Sequence, residues 1–185
     1  MARLIEAPTL LTARFLLRTP QLSDFERWAE FFSTERSRWE DGPMDRVQAW
    51  HHWASGVALW PLKGFGPFGV EDRSTGQYLG EVGIYQPEGY PEPELGWFVV
   101  PEAEGKGAAF EAAGAVMRWA RVELGWSRLV NYIDPGNERS IALALRLNGK
   151  RIDAKGSGPA DVVIHHDLLA LEIPLIPVQV GVLQC

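Results

Sequence analysis

Apolar positions along this chain switch between two spacings, and the switches mark out its elements. Leu10 to Arg18 is a dense apolar run that stops at Thr19-Pro20, which predicts an opening strand and a break. Phe25, Trp28, Phe31 and Phe32 then recur at helical spacing, behind Ser23 and Asp24, either of which can cap a helix. Asp45 is placed to start a second helix, with Val47, Trp50, Ala54 and Val57 as its apolar stripe and a break from Pro61 to Gly66. Strands are predicted at Phe65–Glu71 and Tyr78–Tyr85, joined as a hairpin by the turn-rich Asp72 to Gly76, and a third at Glu94–Val100.

The clearest helix begins near Gly107, with Phe110, Ala113, Met117, Ala120 and Leu124 on one face and Gly125 near its end. Arg128–Ile133 reads as a strand, Asp134 to Gly136 as a turn, and Asn137–Leu147 as a short helix with Asn137 as its cap. A last strand is predicted within Val162–Ile173, after a mobile-looking stretch from Lys155 to Pro159. Residues 174–185 are apolar but carry Pro174 and Pro177, which leaves an edge strand, a subunit contact and a tail as open readings.

Composition narrows the picture. At 185 residues, 46% apolar and with eight tryptophans, the chain can bury one substantial core and is read as a single domain, 1–185. A net charge of −6 and a pI near 5.3 count against nucleic acid or an anionic membrane as the main partner. Cys185 is the only cysteine, so no intramolecular disulfide and no cysteine-rich metal site is expected. No apolar run approaches the ~20 residues of a membrane span, and the expected setting is a soluble protein of the cytoplasm.

The candidate chemistry lies where a strand hands over to a helix. Gly105, Lys106 and Gly107 sit between Glu94–Val100 and the helix that follows. The first turn of a helix leaves backbone N–H groups without partners, and glycines let an anion approach them, so a pyrophosphate fits here. Ordinary turn formation and close helix packing also use glycine pairs. The run lacks the Lys-Ser or Lys-Thr of a nucleotide P-loop and the full dinucleotide fingerprint.

Read with its surroundings, this loop resembles part of a known family. Glu94-Leu-Gly-Trp97, Pro101-Glu102, Gly105-Lys-Gly107, Glu111-Ala112 and Asp134 to Ser140 look, in that order, like the GNAT superfamily of N-acetyltransferases. The opening Thr12 to Arg18, with Asp24 after it, is similar to the first strand of its RimJ/RimL-like branch. The matches run from about Thr12 to Ile152. Glu102 departs from the Gln or Arg often found there, Ala108 from a frequent aromatic residue, and the ending Arg146 to Lys150 from the usual one. Glu102 and Glu104 also bring negative charge beside an anion site.

The resemblance implies an α/β (α+β) fold: a splayed, mixed, mostly antiparallel sheet flanked by helices. It implies acetyl-CoA as cosubstrate, with no metal. Backbone groups near Phe98, Val99 and Val100 would meet the pantetheine arm, and amides of Gly105, Lys106, Gly107, Ala108 and Ala109 would hold the pyrophosphate. Asn137 would help hold the pantetheine. Ser140 would lie near the thioester sulfur, where a hydroxyl can protonate the departing thiolate.

The implied activity is acetyl transfer to a primary amine, a protein N-terminus or a small molecule, by direct attack in a ternary complex. Glu94 is the first candidate for the base and Glu81 the second; either can instead be a solvated strand residue or an arginine's partner. The alternative to an enzyme is a non-catalytic acyl-CoA-binding sensor. His51-His52 and His165-His166 have poor metal-site spacing and read as surface or partly buried residues, with His51 or His165 available for a substrate contact. Trp39, Trp50, Trp53 and Trp60 read as core, or as an aromatic acceptor wall. The C-terminal apolar segment permits a homodimer.

Overall fold

The computed structural model describes residues 7–152, 162–171 and 180–181. Among them nine strands form one sheet in the order β7-β8-β6-β5-β4-β3-β2-β1-β9. Every pairing is antiparallel except that of β5 with β6. The predicted opening strand is two strands, β1 (Thr9–Leu11) and β2 (Phe15–Arg18). Thr12 makes the corner: its hydroxyl donates to Phe15 O at 3.2 Å and accepts the Phe15 N–H at 2.9 Å. That local bonding competes with the strand ladder and turns the chain back.

Helix α1 (Phe25–Phe32) follows the predicted stripe, but Asp24 does not cap it with its side chain. The carboxylate instead receives the Arg18 guanidinium at 2.7 and 2.9 Å and the Gln21 N–H at 2.7 Å. Helix α2 (Arg46–Lys63) begins as predicted at Asp45, which accepts the N–H groups of Val47 and Gln48. Its inward face is different: Ala49, Trp53, Leu59 and Trp60 are buried, whereas Val47 is 65% exposed. Of the predicted stripe, Val57 packs partly buried against this core while Trp50 is 42% exposed, so the contact face is turned from the predicted one toward Trp53 and Trp60. The helix also runs through Pro61, whose missing N–H costs only one bond in the last turn.

Strands β3 (Pro67–Asp72) and β4 (Tyr78–Tyr85) form the predicted hairpin, with Asp72 Oδ1 accepting the Ser74 and Thr75 N–H groups in the turn. Then come β5 (Glu94–Val99), α3 (Ala108–Glu123), β6 (Arg128–Ile133) and α4 (Glu138–Arg146). Strand β7 (Lys150–Ile152) was not foreseen, and β8 (Val162–Asp167) falls within the predicted last strand. In β9 (Val180–Gly181) two residues pair with β1 at the sheet edge. The 155–159 stretch and the rest of 174–185 lie outside the described residues.

Helix α3 packs on one face of the sheet, where Ala112, Ala113, Val116, Met117 and Ala120 meet Leu17, Phe68, Val82, Ile84 and Leu95. Its alanines permit close approach, so the strand side chains fill the gap. Helices α1 and α2 bury Phe25, Trp28, Phe31, Phe32 and Trp53 against Phe98 on β5. The stacking of Phe31 on Phe98, 4.7 Å between centroids, ties α1 to that strand.

Arg18 fixes the approach of α1. It is 7% exposed, and its Nε donates to Glu71 Oε2 at 2.8 Å while its other nitrogens hold Asp24, itself 3% exposed. Removing one partner of such a pair leaves a buried charge uncompensated. Arg18→Met is expected to lower unfolding free energy in urea by roughly 3 to 5 kcal/mol; a loss within experimental error would show that the cluster does not anchor α1.

Candidate active site

Strands β5 and β6 form one parallel pair of residues, Glu94 with Val130, and then diverge. Side chains make this vertex. Asn131, 2% exposed, donates from Nδ2 to Leu95 O, and Glu94 Oε1 accepts the Tyr132 N–H at 2.9 Å. Since Asn131 Nδ2 is committed, its Oδ1 accepts from His166 Nε2 at 2.5 Å. Burial lowers His166 to about 4, so the imidazole stays neutral and structural.

Leu95 O faces β6, and alternate strand residues face the same edge. Trp97 and Val99 therefore present backbone groups to the gap beyond the vertex. Val100 turns its N–H to Leu79 O at 2.9 Å, and Phe98 sends its ring to the α1 side. Across the gap, Asn137 caps α4 by accepting the Ser140 N–H at 3.2 Å, and Ser140 Oγ accepts the Trp97 indole N–H at 3.3 Å. Thus the start of α4, at Asn137 and Ser140, is tied to β5 through Trp97.

The glycine loop lies beside the start of α4, where Glu104 pairs with Arg139 at 3.0 Å. Gly105 and Gly107 have φ of 70° and 76°, values that L side chains strain to adopt, and Gly107 is the residue before α3. No side chain caps that helix. Its first N–H groups, at Ala108 and Ala109, are consequently available to an anion, with the helix dipole favouring negative charge. Lys106 is exposed. Arg14 fastens the loop: its guanidinium donates to Lys106 O at 2.8 Å and to Glu111 Oε2 at 2.8 Å. The acidic residues beside the loop are paired, Glu102 with Arg27 at 3.1 Å, and Glu104 with Arg36 at 2.7 Å and Arg139 at 3.0 Å.

The other face of β4 and β5 floors a cavity of about 1110 Å³, roofed by α1, α2 and the segment between them. Glu81, Tyr85, Glu94 and Phe98 all line it, as period-two alternation requires of β4 and β5 in this register. Glu81 is 4% exposed and accepts the Tyr85 hydroxyl at 2.8 Å on Oε1. Its Oε2 has no partner. Burial pushes Glu81 up to about 7, against the pull of the Tyr85 bond and of Trp28, whose indole N–H leans toward the carboxylate without completing a hydrogen bond. The Tyr85 ring lies over Gly96, where an added Cβ would come within 2.9 Å of it.

Trp39 and Trp53 line this cavity, whereas Trp60 is core and Trp50 packs edge-on to Phe25 while 42% exposed. The histidine at the cavity is His52, set against Trp28 and Phe32, with its pKa lowered chiefly by burial. His51 is exposed and outside the lining. Sequence reasoning missed Arg14, Glu40 and Tyr85. Only Tyr85 left a usable signal, since it lies four positions after Glu81 on a strand and so on the same face. Arg14 and Glu40 meet their surroundings through distant segments.

The splayed sheet, with an anion-receptive helix end at the mouth of its slot, is the architecture of an acyl-CoA-using N-acyltransferase. Residues 14–150 match the acetyltransferase (GNAT) domain, and the chain belongs to that family. It resembles the crystal structure of an acetyltransferase from Agrobacterium tumefaciens, at 36% identity and a TM-score of 0.81, covering 86% of this chain and 94% of that one. It is 31% identical over 110 residues to the uncharacterized protein YkkB of Bacillus subtilis, covering 55% of this chain and 59% of that protein's length. It shares its fold with Mycobacterium smegmatis RimJ in complex with CoA-disulfide, at 18% identity and a TM-score of 0.68 over 90% of this chain and 88% of that one. The protein is an N-acetyltransferase, and its family uses acetyl-CoA.

Among the described residues, no helix is long and apolar enough to cross a membrane. Gly107→Val places a β-branched side chain at φ 76°, beside the Arg14 guanidinium. Calorimetry is expected to show acetyl-CoA binding weakened by at least about tenfold; unchanged affinity would remove the loop from the cofactor site.

Proposed function

We propose that the protein acetylates a primary amine held in the Glu81 cavity, by direct attack on acetyl-CoA in a ternary complex. The carrying observation is the unpartnered Oε2 of a buried carboxylate poised near neutral pH. Glu81 is assigned as the base, directly or through a water molecule. Its ionised form accepts the proton that the incoming ammonium must lose. Glu94 keeps an oxygen on the Tyr132 N–H and is assigned to the vertex and the cavity wall.

Acetyl-CoA supplies the activated acetyl thioester. Val99, together with Trp97, forms the strand edge along which the pantetheine arm is held, whereas its neighbours Phe98 and Val100 turn their backbone groups toward β4, and Asn137 contributes its remaining amide donors. The amides of Gly105, Lys106, Gly107, Ala108 and Ala109 receive the pyrophosphate. Ser140 accepts from Trp97 and so keeps its own hydrogen free to meet the departing thiolate. The motif order and the fold shared with M. smegmatis RimJ support the RimJ/RimL-like branch, and the family match over 14–150 supports reading 1–185 as one acetyltransferase domain. A non-catalytic acyl-CoA sensor would leave the pKa of Glu81 without a purpose.

Thiol release during amine turnover tests the assignment. With Glu81 as base, kcat/KM rises with pH and levels off above about 7. Glu81→Gln is expected to lose roughly 100-fold or more in kcat; an unchanged rate and pH profile would remove Glu81 from the mechanism.

The same substitution has a stability signature. Because folding raises this carboxyl from 4.5 to about 7, the cost of ionising it appears as pH rises past 4.5 and is complete above 7. Glu81→Gln should therefore melt with the wild type near pH 4 and be the more stable at pH 8, by on the order of 3 kcal/mol. Ser140→Ala is expected to lower kcat about tenfold with acetyl-CoA affinity intact; equal losses in both would make Ser140 a binding residue.

A further inference from the structure

The cavity holds more carboxyl groups than a base requires. Glu40, Asp41 and Glu94 line it together with Tyr90. Burial, then the charges of Glu94 and Asp41, push Glu40 up to about 8. The phenol of Tyr90 is pushed up to about 12 by burial and by the same three carboxylates. Among the described residues, neither Glu40 nor Asp41 forms a salt bridge. The cation in the same lining, Arg38, has its guanidinium over the Trp39 ring, 4.7 Å from the centroid.

The acidic group is held in place by the fold. Glu40 N–H donates to Ser37 O at 2.8 Å, Gly42 N–H to the same oxygen at 3.0 Å, and the Ser37 hydroxyl to Thr34 O at 2.7 Å. The Trp39 indole lies against Gly136 in the turn after β6, so the segment reaches across the cavity. Elsewhere in the same lining, Glu81 Oε2 and the Trp53 indole nitrogen are buried and without hydrogen-bond partners.

Carboxyl groups gathered along one cleft repel one another once ionised, and an entering cation relieves that repulsion. Glu40, Asp41, Glu81 and Glu94 share one lining, without three of them grouped to hold a metal ion, an arrangement that suits a cation extended along the cavity. The rings of Trp39, Tyr85 and Tyr90 are part of the same lining, and aromatic rings pack well against methylenes and ammonium groups. An amino acid or peptide terminus would bring one ammonium to Glu81 and none to Glu40 and Asp41.

Resting on the transferase reading above, we propose that the acceptor is an aliphatic diamine or longer polyamine. Its reacting amine points to Glu81, and its second ammonium is received by Glu40, Asp41 and Glu94 beside Tyr90. Binding at pH 7 releases a proton, because a cation favours the ionised form of Glu40.

The test is titration calorimetry of the CoA-saturated protein at pH 7, in two buffers of different ionisation enthalpy. The probes are diaminobutane, spermidine, n-butylamine and an alanine-starting tetrapeptide. The diamine and polyamine are expected to bind at least about 10-fold more tightly than n-butylamine and to release a proton. That preference should collapse toward unity in Glu40→Gln and in Asp41→Asn. The second variant guards against a folding defect in the first, since asparagine tolerates the φ of 62° at this position.

Equal binding of n-butylamine or of the peptide, or an undiminished preference in both variants, would overturn the proposal. Thiol release with acetyl-CoA in place of CoA separates the two readings. Selective diamine binding without release of thiol would uphold the cavity assignment and count against the transferase reading. Release with n-butylamine and no diamine preference would do the reverse.

Discussion

Two side chains take the hydrogen bonds that a second parallel pair between β5 and β6 would have made. Asn131 engages Leu95 O, and Glu94 takes the Tyr132 N–H. Both bonds replace strand-to-strand contacts at the point where the ladder ends, so backbone polar groups stay satisfied at the vertex and are left open only beyond it. His166 braces Asn131 from β8, and its neutrality follows from burial. An open edge inside a sheet is costly unless something pairs with it, which is why the slot invites an extended, hydrogen-bonding ligand.

Strand β5 then serves two chambers at once. Its unpaired edge borders the slot, and its α1-facing side floors the acidic cavity, so a ligand in one lies a strand's width from a ligand in the other. The Trp97 indole reaches across to Ser140, and the Tyr85 ring crosses Gly96 to reach Glu81. Electrostatics divide the chambers as well. Beside the slot, arginines offset Glu102 and Glu104, which lifts the penalty that these residues would otherwise impose on a phosphate. In the cavity, Glu40 and Asp41 have no such offset among the described residues.

Local signals fared best where one residue's role depended on its near neighbours. The capping of α2 by Asp45, the Asp72 turn and the left-handed glycines before α3 are short-range effects, readable as sequence. The boundaries of β4 and β6 agree with the alternation. The corner at Thr12 was concealed because one hydroxyl, not a glycine or proline, makes the turn. Asp24 looked like a helix cap and became an ion-pair partner because Arg18 offers its carboxylate two charged donors where a cap offers a neutral N–H.

The sequence by itself determined the order of elements, the glycine-marked helix end and the family, because periodicity, turn chemistry and motif order are properties of neighbours along the chain. Tertiary structure alone decided which face of α2 is buried, that Arg14 ties the loop to the first hairpin, and that Glu40 and Asp41 join Glu81 and Glu94 in one cavity. Each depends on segments tens of residues apart meeting across a sheet. Burial, which gives Glu81 and Glu40 their shifted acidity, exists only once that meeting has expelled water.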